Sequence, residues 1–464
     1  MTTWPPDPAK LMRPVYRSLA SSIAGAIDSG KLQPGERLPT HRELAYQLGI
    51  SVQTVSRAYE ELIRTDLVVG EVGRGTYVKD PASDHRAPPF QRIDGSERVI
   101  DCSMLTPVRG ALHDTALTSA LREMSRETPP ADWFSFRPRH AYQSHMQPAL
   151  RWLKLCGLAP HPEQVLPVNG ATVAMNVAVM TAATSGDLVV TEDMGHHTLK
   201  TLARIYGLRL TGLACDEQGI LPDALDHAAR HHGARVLYVM PSGNSPRTLS
   251  MGAKRRTDIV ALARKYDLQI IENDAWGPLE PDRPPPLAAL APERVFHVSG
   301  VSKCLMPALR FGWLVVPQPH VTAAFSQHMV TDWMANPLSA DIVSRWIADG
   351  TALKLLNWQR DMLARRNALV RRHLGGLGVW SNPHGMHVWL PLPGHWDETS
   401  FVSSARQHGV AVAPGHAFET GVTRSPHRGV RICLGGPNDA ELAEALRLVA
   451  WLAQNRPGPE FLTF

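Results

Sequence analysis

The chain has 464 residues, 44% of them hydrophobic and 20% charged, with a net charge of +5 and a pI near 9.0. At roughly 100–200 residues per domain, two to four domains are expected, with core enough to need no disulfide or metal staple. No apolar run reaches the ~18 residues of a membrane span, the start lacks a basic-then-apolar leader, and the five cysteines form no C-x-x-C pair, so a cytoplasmic protein with reduced thiols is expected.

Residues 1–80 carry 10 Lys and Arg against 9 Asp and Glu, so any affinity for DNA must come from where the charges sit. In 15–29, Leu19, Ile23 and Ile27 recur at helical spacing, and Gly30 stops the helix. Pro34, Gly35 and Pro39 mark a turn. Thr40 with Glu43 forms a capping box for a second helix that runs to about Leu48. Gly49 turns the chain, and Ser51 caps a third helix to about Thr65. Helix, short glycine turn, helix is a helix-turn-helix layout, with Leu44, Leu48, Ile50, Val55, Tyr59, Leu62 and Ile63 assigned to its core. Two short β-prone runs around Gly70 to Gly75 predict a hairpin wing, and the Pro-rich segment 80–98 a linker.

From about residue 100, strand patterns at 187–191, 235–240, 268–272, 295–299 and 311–316 alternate with helical ones at 171–183, 198–206 and 254–266. That alternation predicts an α/β fold with a mainly parallel sheet covered by helices. Strands at 388–392, 410–413 and 429–434, with helices at 398–408 and 439–454, predict a smaller α+β part at the end. The 21 histidines include His196-His197 and His231-His232, none at zinc-ligand spacing, so no metal is expected.

The run Pro34-Gly-Glu-Arg-Leu-Pro-Thr-His-Arg-Glu-Leu-Ala-Tyr-Gln-Leu-Gly-Ile-Ser-Val-Gln-Thr-Val-Ser-Arg-Ala-Tyr-Glu-Glu-Leu62, with Gly73-Arg-Gly-Thr-Tyr-Val78, resembles the GntR-type winged helix over about residues 12–78. The start of a recognition helix faces base edges, which here means Ser51, Val52, Gln53 and Thr54. Gln53 can pair bidentately with adenine and Val52 can touch a thymine methyl. Arg42 is placed to hold phosphate or reach a base, Arg57 to clamp phosphate, and Arg74 beside Gly73 to project from the wing. Many members of that family have Arg where this chain has Val52, so their operators do not transfer.

Further on, His297-Val-Ser-Gly-Val-Ser-Lys303-Cys-Leu-Met-Pro-Ala-Leu-Arg310-Phe-Gly-Trp313 resembles the cofactor motif of fold-type I aminotransferases. Joined to a GntR-type winged helix, this is the layout of the MocR-type bacterial regulators. The resemblance implies pyridoxal 5'-phosphate held as an imine by Lys303, its phosphate by Arg310, Ser302 and the helix start at Gly170, Ala171 and Thr172. It implies His196 stacked on the cofactor ring, Asn244 and Trp276 near it, and Arg431 (with Arg428 a competitor) on an effector carboxylate. It also implies a homodimer that binds double-stranded operator DNA and an amine or amino-acid effector.

Several residues depart from the aminotransferase pattern. Asn273 takes the place of the Asp that pairs with the pyridine nitrogen, and Trp276 that of a Tyr three residues on. Asp274 should point to the other strand face. Ser245-Pro-Arg-Thr248 stands for Asn-Pro-Thr-Gly, Gly300 for a serine, and Phe136 for a tyrosine. A neutral Asn holds the ring nitrogen protonated less well than a carboxylate, so transamination is expected to be weak or absent. The competing expectations are an active aminotransferase with a fused DNA-binding domain, and a DNA-binding dimer with a cofactor-free domain. The expected division is a winged helix over 1–79, a linker over 80–98 and an aminotransferase-like domain over 99–464, its large part at about 140–345 and its small part at about 346–464.

Overall fold

The structure, a computed structural model, describes residues 4–8, 11–33, 35–64, 67–71, 75–78, 99–127, 134, 143–420 and 427–455. The chain forms two compact units, Met1–Gln91 and Arg92–Phe464. The expected linker at 80–98, the wing residues Gly73 and Arg74, and Phe136 lie outside the described residues.

In the first unit, helices α1 (Val15–Asp28), α2 (His41–Leu48) and α3 (Val52–Arg64) precede the antiparallel strands β1 (Val68–Glu71) and β2 (Gly75–Val78). The Thr40 hydroxyl accepts the Glu43 amide at 3.3 Å, and the Glu43 carboxylate accepts the Thr40 amide at 2.8 Å. Gly49 closes α2 at φ 63°, a backbone conformation that costs a side chain but not glycine. Leu19, Ile23, Leu44, Leu48, Val55, Tyr59 and Leu62 are buried in one cluster. Ile63 is 46% exposed, against expectation, because it lies about 100° around α3 from the buried Leu62. Replacing Thr40 by alanine is expected to cost about 1 kcal/mol of cap energy. Amide hydrogen exchange across α2 is the check, with exchange about fivefold faster in the variant.

The second unit is built on a seven-stranded sheet: β3 (Val165–Val168), β4 (Leu188–Glu192), β5 (Arg209–Leu213), β6 (Ala234–Val239), β7 (Gln269–Asn273), β8 (Val295–Gly300) and β9 (Gly312–Val315), in the order β3-β9-β8-β7-β6-β4-β5. Only β9 runs against the others. β9 can reverse because only eleven residues separate it from the end of β8 (Gly300 to Gly312), too few for a helical crossover. Gly312 sits against β8: a Cβ there would lie 2.4 Å from the Ser299 carbonyl oxygen, so no other residue fits. Helix α4 (Ala171–Ala182) covers one face with Val177 and Ala178 buried, and α5 (Ala253–Lys265) packs in the cluster on the other with Ile259 and Ala263. A three-stranded antiparallel sheet, β10 (His387–Pro391), β11 (Ala413–Pro414) and β12 (Gly429–Cys433), has its own apolar cluster with α6 (Asp439–Gln454). No helix among the described residues is long and apolar enough to cross a membrane.

Candidate cofactor and DNA-binding sites

The carboxyl ends of β7 and β8 and the start of α4 bring the predicted anion-holding residues together. Gly170 precedes α4 with φ 85°, and a Cβ there would lie 3.1 Å from a terminal nitrogen of Arg310. A side chain at 170 would thus be strained and would crowd the guanidinium. Arg310 itself has φ 43° and ψ 47°, and it donates to the Ser302 hydroxyl at 3.5 Å. Gly300 faces the same helix start, its would-be Cβ 3.8 Å from the Ala171 nitrogen. The first-turn N–H groups of α4, at Ala171 and Thr172, have no intrahelical partners and bear the positive end of the helix dipole. Backbone donors, a hydroxyl and a guanidinium around a space that a side chain at Gly170 would crowd suit a phosphate.

Lys303 lies beside this corner. Its ammonium donates to the Leu105 carbonyl. Burial lowers its pKa from 10.5 to about 8, with Arg431 and Arg310 adding to the shift and Cys433 opposing it. Only the neutral amine attacks a carbonyl, so at pH 7 the reactive fraction rises from about one in three thousand to about one in ten. Covalent capture of an added aldehyde by Lys303 is therefore expected to accelerate with pH up to a midpoint near 8, then level off. A stopped-flow absorbance series between pH 6 and 10 checks this; a rate still climbing tenfold per pH unit at 9 would contradict it.

Around Lys303 the buried side chains are cationic or neutral. His196 stacks on His197 with ring centres 4.8 Å apart and planes at 17°. Burial, reinforced by the nearby Lys303 and Arg431, holds His196 and His387 neutral at about 3 and His197 at about 4. Arg431 on β12 is buried, donating to the Ser245 hydroxyl at 3.0 Å and the Ser103 carbonyl at 2.7 Å, with its guanidinium 4.6 Å over the Phe418 ring. Among the described residues its Nε has no hydrogen-bond partner. Its competitor Arg428 is exposed.

The remaining predicted residues are largely engaged with the protein itself. Asn273 ends β7 and donates from Nδ2 to the Tyr238 hydroxyl at 2.7 Å. Asp274 is buried in an ion pair with Arg283, near His297 at 3.9 Å, on the face expected from strand alternation. The Trp276 indole N–H is committed to the Ser242 carbonyl at 2.8 Å, so it offers a ring but no spare donor where a tyrosine would offer a hydroxyl. The Asn244 side-chain oxygen accepts the Leu249 amide at 3.0 Å and closes its own loop. Tyr238, His197 and His387 belong to this constellation without having been singled out from sequence, and Ser245, noted there only as a departure, joins them through Arg431. His197 had a signal in the His-His pair, whereas His387 sits in a strand pattern that marks only burial.

In the first unit, Val52, Gln53, Arg42 and Arg57 are exposed. Ser51 accepts the Thr54 amide at 3.1 Å, and the two hydroxyls lie 2.8 Å apart, so both serve the cap of α3 as well as its outer surface. Ser51, Gln53, Thr54 and Arg57 line a groove of about 570 Å³ with Arg13, just before α1, and Tyr16 in its first turn. Arg57 and Arg17 each lie over the Tyr16 ring, at 5.9 and 5.8 Å. Residues Arg13, Tyr16 and Arg17 were not anticipated from the sequence.

Residues 114–449 match the family described as aminotransferase class I and II, and residues 15–78 match the bacterial regulatory proteins of the gntR family. The HTH-type transcriptional regulator YdeF of Bacillus subtilis, itself uncharacterized, is 27% identical over 95% of both chains. The pyridoxine biosynthesis transcriptional regulator PdxR of Corynebacterium glutamicum is 26% identical over 77% of this chain and 78% of its own. The vitamin B6 salvage pathway transcriptional repressor PtsJ of Salmonella typhimurium is 27% identical over 91% and 94%. Among solved structures, an archaeal alanine:glyoxylate aminotransferase superposes with a TM-score of 0.71 at 23% identity, over 77% of this chain and 91% of that one. The kynurenine aminotransferase of Pyrococcus horikoshii does so with 0.70 at 20%, over 81% and 98%. These likenesses establish the fold of the second unit.

Proposed function

We propose that this chain, which belongs to the aminotransferase class I and II family and carries an N-terminal gntR-family helix-turn-helix, is a transcriptional regulator of the MocR type whose second unit binds pyridoxal 5'-phosphate and senses it or an amino compound. The observation that carries this reading is a lysine with a lowered pKa beside an anion cradle, on the same chain as a helix-turn-helix with exposed polar side chains at the start of its recognition helix.

Arg310, Ser302 and the Gly170–Thr172 turn hold the phosphate, Lys303 holds the aldehyde, and the neutral His196 ring walls the site. When bound, pyridoxal phosphate supplies an aldehyde that captures amines reversibly and a ring that can withdraw electron density. Arg431 recruits the carboxylate of an amino acid to the same place. Asn273 offers no charge that would keep a ring nitrogen protonated, so a bound ring would withdraw electron density less than it would beside a carboxylate. The site thus serves recognition better than turnover, which favours a sensor over an aminotransferase.

At the other end, Gln53 and Val52 read base edges, Ser51 and Thr54 support them, and Arg42 and Arg57 hold phosphates, with Gly73 and Arg74 reaching from the wing. The winged helix spans 1–79, a linker 80–98 and the sensor 99–464. Two copies form a homodimer that places two helices on repeated or inverted half-sites, in the cytoplasm. An effector acts by binding one of two arrangements of the protein better than the other.

Fluorescence anisotropy with labelled duplex from the gene's own upstream region tests the DNA half. The wild type is expected to bind specifically, and Gln53→Ala to weaken binding by about tenfold to a hundredfold through loss of one bidentate pair. Binding no tighter than to random duplex would overturn the regulator reading.

A further inference from the structure

Tyr238 lies on β6 paired in register with Ile271 of β7, and Asn273 is two residues further along β7, on the same face. The tyrosine therefore rises from beneath the site, and its hydroxyl meets the Asn273 amide at 2.7 Å. Tyr238 is fully buried, with the His196 ring edge-on at 6.4 Å. Among the described residues, Asn273 is the only hydrogen-bond partner of that hydroxyl.

The orientation of the Asn273 amide follows from two neighbours. Its oxygen faces the Ala275 N–H at 3.4 Å, and its nitrogen faces the Tyr238 oxygen. Turning it over would set Nδ2 against another N–H. With Tyr238 accepting from one amide hydrogen, the second hydrogen of Asn273 and the proton of Tyr238 are the polar hydrogens left at this end of β7. Both belong to neutral groups. The two carboxylates that flank Asn273 are engaged elsewhere, Glu272 with His297 and the Leu287 and Ala288 amides, Asp274 with Arg283.

We infer that Tyr238 is a positioning residue for the cofactor: it locks Asn273 so that the pyridine nitrogen meets a neutral N–H donor and stays unprotonated. Asn273 and Tyr238 then replace the usual carboxylate by a two-residue unit, and the asparagine is a held donor instead of a vacant position. This rests on the proposed binding of pyridoxal phosphate at Lys303. It goes further by naming the residue that sets the ring's protonation state.

The test loads the full-length protein with pyridoxal phosphate labelled with 15N in the ring and reads the ring-nitrogen chemical shift at neutral pH. The wild type is expected to give the shift of a hydrogen-bonded, unprotonated pyridine. Tyr238→Phe should keep the visible absorbance of the bound cofactor yet move the nitrogen shift, since the amide loses its anchor. Asn273→Asp should move it to the protonated range. A protonated nitrogen in the wild type, or a Tyr238→Phe shift equal to the wild-type one, would overturn the inference. If Tyr238→Phe does not fold, Asn273→Asp decides alone: a shift unchanged from the wild type overturns it. A wild type that takes up no cofactor would instead overturn the reading of Lys303, and the inference with it.

Discussion

Replacing Lys303 by alanine is expected to abolish the visible absorbance of protein incubated with pyridoxal phosphate and to let the cofactor leave on dialysis. The reasoning is local. Lys303 follows β8 and Ser302 and lies beside Arg310, where burial brings its pKa down to about 8. Lys265, by contrast, is exposed and pushed the other way by Asp226. Alanine removes the amine of this corner while leaving the anion cradle intact. The variant should therefore still bind the cofactor weakly and reversibly, visible as quenching of tryptophan fluorescence. Retention of the absorbance band in Lys303→Ala would mean that another amine holds the aldehyde.

The second large effect concerns the cradle. Arg310→Ala is expected to weaken cofactor binding by about a hundredfold, equivalent to about 3 kcal/mol, the upper range for a hydrogen bond to a charged group. Arg310 adopts a left-handed backbone conformation at φ 43°, uncommon for a residue with a side chain, and it is aimed at the start of α4 past Gly170. Alanine tolerates that backbone no better and loses the charge. Equilibrium titration at constant ionic strength gives the affinity, and pyridoxal without the phosphate supplies the control. The loss should be confined to the phosphorylated form. An equal loss for both forms would show that Arg310 shapes the site instead of binding the phosphate.

Much of this could be seen in the chain itself, for physical reasons that differ by region. The capping box of Thr40 and Glu43 and the turn at Gly49 are local signals, complete within ten residues, and both are present. The parallel strands at 188–192, 234–239, 269–273 and 295–300 read well because a sheet buried on both faces makes continuous apolar runs. Two elements were harder. Val165–Val168 is a four-residue strand with a proline, Pro167, inside it, which weakens any strand pattern, and its place beside β9 depends on pairing with residues almost 150 positions away. Thr351–Leu374 is a 24-residue helix whose mixed polar and apolar sequence carries no clear stop before Gly375. The reversed direction of Gly312–Val315 leaves no trace in composition, since an antiparallel strand in a buried sheet is as apolar as a parallel one.

The candidate site divides the same way. Lys303, Ser302 and Arg310 share one short segment, so their pattern survives in sequence. Arg431 had a rival in Arg428 that spacing could not separate from it; in the fold Arg431 is buried and Arg428 exposed. Asn273 was visible as a departure, but its partner Tyr238 was not, because a tyrosine inside an apolar strand reads as core until the neighbouring strand brings an amide to its hydroxyl. Trp276 shows the converse: its position matched, while its donor is spent on Ser242.

The central claim is that cofactor or amine binding at Lys303 changes DNA binding by the helix-turn-helix. The most direct measurement is the affinity of the full-length protein for its own upstream duplex, titrated with and without pyridoxal phosphate and a panel of amino acids, beside Lys303→Ala. At least one ligand is expected to shift the wild-type affinity by about fivefold or more, the lower end of ordinary coupling, and none to shift that of Lys303→Ala. Superimposable wild-type curves with every ligand, alongside brisk multiple-turnover transamination, would contradict it and mark the second unit as a working aminotransferase.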